Sequence, residues 1–293
     1  MAEQVEIFGN SLVQHDQAAR RATLALLDPE DAPNVIHHLE LLAISRGYTK
    51  VTARVPAAHI RHFVGAGYRL EATIPHFYGE GETACFLARH FGDAPAPERM
   101  PLLLMRILAA TEMQSLAGPV PLPEGGALRS VEPPEIGEVV SLYRTVGVAK
   151  SAAVDDPIFL DNVLGRGDLL LGLWIEGILV AACGAIFDPA TGTAELAHFV
   201  VLPEHRGKGL ALLLLQRIGE LSAACGARLL WSAVRAYAPG INITFAKGGY
   251  HFGGTLTNST NIYGAPESVN VWHKCLADDP ALAWSSLFLT NSD

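Results

Sequence analysis

The sequence predicts a mixed α/β fold: a mostly antiparallel central sheet flanked by helices. Three observations predict it. Of the 293 residues 49% are apolar, enough for a sizeable core in one large or two modest domains. The C-terminal half reads as helix, antiparallel strands, loop, helix, strand, helix and closing strands. A shorter run near the N-terminus echoes the second part of that order.

Element by element, "PPEIGEVVSLYRTVG" puts Ile136, Val139, Val140 and Tyr143 on one helical face. "DLLLGLWIEG" and "ILVAACGAIFD" are apolar runs that meet near Glu176-Gly177, a predicted hairpin. "TAELAHFVVL" is a third strand, Gly209 to Cys225 a helix, "ARLLWSAV" a strand and Ile243 to Lys247 a short helix. "HFGGTLTN" and "SVNVWHKCL" close the sheet.

In the N-terminal part, the run from Asn34 to Phe91 reads helix, Gly, strand, helix, Gly-Tyr, strand, strand. "HFVGAGYRLEATI" and "TFAKGGYHFGGTL" align Gly67-Tyr68 with Gly249-Tyr250. The reading is a degenerate half-repeat, with chance similarity as the alternative. It has no counterpart of the segment Arg206 to Ala211, which points to a scaffold rather than to chemistry. Between the halves, Phe91 to Ala127 is dense in Pro and Gly at both ends, with a short apolar stretch from Leu102 to Ala110. The expected domains are 1–92, a linker at 93–127 with a short apolar helix, a catalytic domain at 128–280 and a tail at 281–293.

Composition excludes several classes. A formal net charge of −9 argues against a nucleic-acid partner. Four scattered cysteines without a C-x-x-C pair suggest neither a metal site nor a disulfide framework, and fit a reducing cytoplasm. "MAEQVEIFGNSLVQ" lacks the charged and apolar regions of a signal peptide, and Glu176 and glycines interrupt the longest apolar runs. A soluble cytoplasmic protein without a membrane partner is expected.

The segment with most chemistry is "PEHRGKGLALLLLQ", Pro203 to Gln216. It contains neither G-x-x-x-x-G-K-[ST] nor G-x-G-x-x-G. What remains is a strand, a turn, and R-x-x-G-x-A opening a helix. Glycine lets backbone approach a ligand, and the helix start offers unpaired N–H groups to a phosphate. These residues resemble motif A of the GCN5-related N-acetyltransferase (GNAT) superfamily. The resemblance implies that Arg206, Gly207, Lys208, Gly209, Leu210 and Ala211 hold the pyrophosphate of acetyl-CoA as cosubstrate. It also implies that the backbone of Val200 and Val201 meets the pantetheine arm and the thioester carbonyl, where an N–H stabilises the developing oxyanion. Asn242 resembles the family's Asn that contacts the arm; as a plain residue it reads as a helix cap.

Transfer to an amine needs removal of a proton from an ammonium of pKa ~10.4 and stabilisation of a leaving thiolate. Glu195 matches the general-base glutamate of the superfamily's histone acetyltransferases, although a strand glutamate can also be ion-paired. His198 is a second candidate base, or a packing histidine. Phe245 stands where many relatives carry a proton-donating tyrosine. Either Tyr237 or Tyr250 substitutes, or the thiolate leaves unassisted.

A narrower resemblance follows. "NITFAKGGY", "GTLTNSTNI" and "ESVNVWHKCL", with "SLVQH" and "CFLARHF" from the N-terminal half, look like the β-lysine N-acetyltransferase family. This implies transfer to the ε-amine of β-lysine in a ternary complex, giving Nε-acetyl-β-lysine, a compatible solute used in osmoadaptation. Arg235 is assigned to the acceptor carboxylate, and Glu267, Asn258, Asn261 and Asn270 to its β-ammonium; an Asn-rich turn is the alternative. "AKSAAVDDPIFLDNVL" and "QHDQAARR" depart from the family's pattern. Another amine, an amino acid or a protein lysine is a competing acceptor, and a silent acetyl-CoA sensor a competing role. A homodimer is compatible with the half-repeat.

Overall fold

The computed structural model describes residues 4–17, 19–92, 98–147, 156–262 and 265–276. The expected tail at 281–293, residues 93–97 of the linker and residues 148–155, including most of "AKSAAVDD", lie outside them. The chain divides into two compact units. The first holds Met1–Pro101, Gly253–Asn261 and Pro266–Val269; the second holds Leu102–Phe252, Ile262–Ala265 and Asn270–Asp293.

The first unit contains β1 (Gln4–Phe8), β2 (Ser11–Asp16), β3 (Arg21–Leu26), α1 (Ala32–Arg46), β4 (Lys50–Pro56), α2 (Ile60–Gly65), β5 (Arg69–Gly79) and β6 (Glu82–His90). Their sheet order is β1-β2-β3-β4-β6-β5. Only β3 and β4 pair in parallel, as the intervening α1 crossover requires. Period-two alternation sends Val13, Leu24, Val51, Val55 and Leu87 to one face, where they pack with Val35, Leu39 and Phe63 from the helices. The sequence reading begins at Asn34 and contains no strand before it. β1 to β3 are only five or six residues long, and polar residues interrupt their apolar ones, so none forms an uninterrupted apolar run.

The second unit contains α3 (Pro101–Glu112, all but its first residue), β7 (Gly126–Ser130), α4 (Ile136–Val146), α5 (Pro157–Gly165), β8 (Leu169–Ile175), β9 (Ile178–Asp188), β10 (Thr193–Val201), α6 (Leu210–Ala224), β11 (Leu229–Arg235) and α7 (Pro239–Lys247). β12 (His251–Ile262) and β13 (Ala265–Cys275) are shared between the units. In this half the strands run β13-β11-β10-β9-β8-β7, an open mixed sheet.

Each face of that sheet has its own core. Leu212, Leu214, Leu215 and Ile218 of α6 pack over β9 to β11 with Phe245 and Trp272. On the other face Val139, Tyr143 and Leu160 of α4 and α5 meet Leu170, Trp174 and Leu179. Burying each large aliphatic contributes about 1.5–3 kcal/mol, so α6 is held by its leucine run rather than by its termini. Ile175 pairs with Ile178 around Glu176-Gly177, the expected hairpin. α7 begins four residues earlier than the sequence reading, because Pro239 occupies the first turn, where a missing N–H costs nothing.

Candidate active site

β10 and β11 are parallel and pair at Thr193–Leu229, Ala194–Leu230 and Glu195–Trp231, where the ladder stops. On its other side β10 stays paired with β9 as far as Val201–Ala181, with an irregularity between Ala197 and Val200. His198 sits inside that irregularity at φ 61°, a conformation that costs a non-glycine residue about 1–3 kcal/mol. Two neighbours hold it there. The buried Tyr143 hydroxyl donates to the His198 carbonyl at 2.8 Å, and the Phe159 ring meets the imidazole edge-on at 6.0 Å. Along the edge of β10 that β11 no longer covers, the Ser232 hydroxyl donates to Leu196 O and Arg206 Nε to Val201 O. The apolar sequence around Tyr143 and Ser232 carries no signal of these roles; both depend on partners more than 30 residues away.

The turn after β10 leads straight to a helix start. Gly207 and Gly209 have φ of 76° and 78°, which no β-branched or bulky residue adopts cheaply. A Cβ at Gly207 would meet nothing within 4 Å, so the requirement there is conformational rather than steric. Gly209 caps α6 without any side-chain hydrogen bond. Among the described residues, the N–H groups of Gly207, Lys208 and Gly209 donate to no backbone carbonyl. Arg206, Gly207, Lys208 and Gly209 are exposed, Ala211 is half-buried and Leu210 is turned into the core. Unpaired donors, a helix dipole and two cations therefore converge at the carboxyl ends of a parallel strand pair.

Glu195 is the last residue of the β10–β11 ladder, half-buried, and alternates with Ala194 and Leu196, which face α6. It therefore lies on the α4–α5 face, as does the imidazole of His198. Burial lowers the pKa of His198, and its Nε2 has no hydrogen-bond partner among the described residues. The ring is a neutral imidazole at neutral pH. Arg235 is exposed at the end of β11 and Tyr237 is half-buried just beyond it, at the same end of the sheet as the turn. Val200 is buried among residues of the α4–α5 core, while Val201 packs toward α6.

Other expected residues serve the interior. Asn242 is not the cap of α7, a position held by Ala238, but lies within the helix, fully buried. Its Nδ2 donates to Arg235 O at 2.9 Å and Ala238 O at 2.8 Å. Its Oδ1 accepts from Asn270 Nδ2 at 2.8 Å and Trp272 Nε1 at 3.0 Å. Two donors and two acceptor sites are all an amide has. The network ties the end of β11 to α7 and β13, and it places Asn270 in the interior. Phe245 is fully buried among Phe199, Tyr250 and Trp272. Tyr250 belongs to the same core, its hydroxyl close to Gly219 in the middle of α6. Asn258 and Glu267 are buried in the first unit, so they do not share a unit with Arg235. The side chain of Asn261 lies outside the described residues.

An open mixed sheet whose parallel pair parts beside a glycine turn leaves a helix start and a strand edge open to a ligand. Residues 139–240 match the family model described as "Acetyltransferase (GNAT) family", and the chain carries a GNAT acetyltransferase domain. Among relatives, it is 24% identical over 272 residues to a β-lysine N(6)-acetyltransferase of Methanococcus maripaludis, covering 93% of this chain and 98% of that protein. A Methanosarcina mazei protein of the same name is 28% identical over 159 residues, 53% of this chain and 57% of that protein. The N-acetyltransferase YodP of Bacillus subtilis is 24% identical over 204 residues, 68% and 72% of the two chains. The family uses acetyl-CoA. The uncapped, cationic start of α6 and the uncovered edge of β10 fit a pyrophosphate and an extended arm, respectively.

Proposed function

We propose that the second unit transfers an acetyl group from acetyl-CoA to a primary amine, and that the acceptor is the ε-amine of β-lysine. The observation that carries the donor half is the uncapped α6 start behind Gly207 and Gly209, beside strands that part after Glu195. The acceptor half is supported by the Methanococcus maripaludis relative, whose similarity runs over 93% of the chain.

Acetyl-CoA, when bound, supplies the acyl group as a reactive thioester. The chain's residues bind, orient and move protons. The N–H groups from Gly207 to Ala211 and the charges of Arg206 and Lys208 hold the pyrophosphate. The backbone of Val200 and Val201 orients the arm and aims an N–H at the thioester oxygen. Asn242 works through backbone, fixing the ends of β11 and α7. Glu195 takes the ammonium proton, with the neutral imidazole of His198 on the same face as the other candidate. Tyr237, half-buried where β11 ends, serves the leaving thiolate, whereas Tyr250 packs against α6. Arg235 meets the acceptor carboxylate. The product, Nε-acetyl-β-lysine, is a compatible solute.

The test is release of free thiol from acetyl-CoA with a panel of amines. β-Lysine is expected to give the highest kcat/KM, and a higher value with another amine overturns that acceptor. Tight CoA binding with no thiol release by any amine leaves an acetyl-CoA sensor in place of an enzyme. Glu195→Gln is expected to lower kcat by about 100-fold or more, the worth of a positioned base. An unchanged rate and pH profile in that variant, with a loss in His198→Gln, moves the base to His198.

A further inference from the structure

β9 alternates without interruption. Ala181, Cys183 and Ala185 pack toward α6, and Ala182 faces the α4–α5 core. β10 does not. Ala194 and Leu196 pack toward α6 before its irregularity, whereas Phe199 and Val201 do so after it. A change from even to odd positions on one face requires an extra residue between them. The pairing locates it. Ala197 stands opposite Gly184 and Val200 opposite Ala182, so His198 and Phe199 share Cys183, a β-bulge.

The bulge reverses which backbone groups face the open edge. Before it, Leu196 turns its carbonyl toward β11, where it accepts from the Ser232 hydroxyl. Counting by twos from Leu196 would give that edge to Val200 and aim the backbone of Val201 at β9. Instead the Leu202 N–H donates to Val180 O on β9 at 2.9 Å, so Val201 points the other way, and its carbonyl accepts from Arg206 Nε. The Val201 N–H reaches the edge that β11 leaves uncovered only because the bulge is present.

His198 occupies the bulge at φ 61°, a conformation that glycine adopts without cost and histidine does not. The Tyr143 side chain is fully buried in the α4–α5 core, and its hydroxyl donates to His198 O at 2.8 Å. Burial raises the pKa of that hydroxyl, which therefore stays a donor. α4 is itself fixed at two other points. Glu135, immediately ahead of it, meets Arg129 of β7 at 2.7 Å, and Glu138 accepts from Trp174 Nε1 of β8 at 3.1 Å. The imidazole lies over a glycine of β9: a Cβ on Gly184 would come within 3.8 Å of its Cδ2.

We infer that Tyr143 is a positioning residue for acyl transfer: through the His198 carbonyl it holds the β10 bulge that turns the Val201 N–H to the thioester oxygen. The inference rests on the acetyl-transfer reading and on the role of Val201 in it.

A double-mutant cycle on the full chain tests it, read as kcat, Kd for acetyl-CoA and pH profile with the amine of the panel that gives the highest rate. Tyr143→Phe removes the hydroxyl and keeps the ring. It is expected to lower kcat by about tenfold or more, short of the roughly 100- to 1000-fold lost when an oxyanion donor is deleted. Acetyl-CoA affinity should stay within about twofold and the pH profile unchanged, because the lost interaction matters only in the transition state. Glycine relieves the strain at φ 61°, so in a His198→Gly background the same substitution should change kcat by less than about twofold. That second comparison still decides if Tyr143→Phe alone does not fold. A folded Tyr143→Phe chain with parental kcat, an equal loss in both backgrounds, or a loss confined to acetyl-CoA affinity overturns the inference and leaves the acetyl-transfer reading standing. So does a shifted pH profile, which would assign Tyr143 to a titrating group. No thiol release by the parent chain with any amine overturns both.

Discussion

In the first unit the parallel pair β3–β4 keeps register over four residues, from Arg21–Lys50 to Leu24–Ala53. In the second, β10–β11 keeps it over three and then parts. In each unit the first strand of the pair is followed by a helix, the second strand, a short helix and a Gly-Tyr step, and that step is built alike. Phe63 meets Tyr68 edge-on at 5.3 Å and 84°, and Phe245 meets Tyr250 at 4.9 Å and 82°. Tyr68 N donates to Phe63 O at 3.0 Å, as Tyr250 N does to Phe245 O at 3.1 Å. The difference lies in the segment between the first strand and its helix. Ahead of α6 it is Leu202-Pro203-Glu204-His205-Arg206-Gly207-Lys208-Gly209, where the N–H groups of Gly207, Lys208 and Gly209 donate to no backbone carbonyl among the described residues. Ahead of α1 it is Leu27-Asp28-Pro29-Glu30-Asp31, without glycine and with three acids. Asp28 accepts from the Glu30 N–H, and Asp31 from the backbone of Asn10 and Ser11 and from the Ser11 hydroxyl. A strand-to-helix segment can therefore leave its donors open to an anion or meet them with the chain's own carboxylates.

The sharpest way to break the contrast is to give the second unit the first unit's acid. Gly209→Asp forces a non-glycine residue to φ 78° and sets a carboxylate where phosphate oxygens would lie. Strain of about 1–2 kcal/mol and lost charge-assisted contacts together predict an acetyl-CoA affinity weakened by about 100-fold. Titration calorimetry measures this, with circular dichroism to verify folding. A folded variant that binds within about threefold of the parent, under ~1 kcal/mol, would remove the turn from the donor site.

A second contrast concerns α7. Extending the alignment of "HFVGAGY" with "TFAKGGY" by two residues sets Ile60 against Asn242. Ile60 packs on the first core, whereas Asn242 spends four hydrogen bonds on three elements. Asn242→Leu restores the apolar state but strands Asn270 Nδ2 and Trp272 Nε1 in the interior. A loss of about 3 kcal/mol is expected, since each buried unpaired donor costs about 1–3 kcal/mol. Urea unfolding followed by tryptophan fluorescence reads it. A loss below ~1 kcal/mol would mean the two donors find new partners.

Much of the second unit was legible because its signals are local. The α6 leucine run, the Glu176-Gly177 hairpin and the helical face of Ile136 to Tyr143 each declare themselves within a dozen residues. The glycine turn at Arg206 to Gly209, as a turn opening a helix, was legible for the same reason. Asn242 was found for its position but misread in its local role, since its partners Asn270 and Trp272 lie 28 and 30 residues away. The strain at His198 and its restraint by Tyr143 are tertiary and leave no trace in "AELAHFVVL". β1 to β3 went unseen because each is only five or six residues long and none is an uninterrupted apolar run.

The smallest expected effect tests whether the first unit's helix start retains any donor-binding capacity. Hydrogen bonds from Asn10 and Ser11 hold the Asp31 carboxyl below the usual carboxylate range, so it stays ionised at neutral pH. Asp31→Asn keeps the side chain's shape and one acceptor oxygen but removes that charge. The chain there still has no glycine, Asp28 still caps the Glu30 N–H, and β3 and β4 remain zipped to Leu24–Ala53. Removing repulsion alone should therefore create nothing. The acetyl-CoA stoichiometry should stay at one per chain and its affinity unchanged, with only acid stability altered. Asp31 contributes above its unfolded pKa, and that contribution is lost as pH falls through its lowered folded value, so the parent should lose more stability than Asp31→Asn as pH drops below about 4. A second acetyl-CoA bound by Asp31→Asn would show that charge alone separates the two units, rather than charge together with backbone.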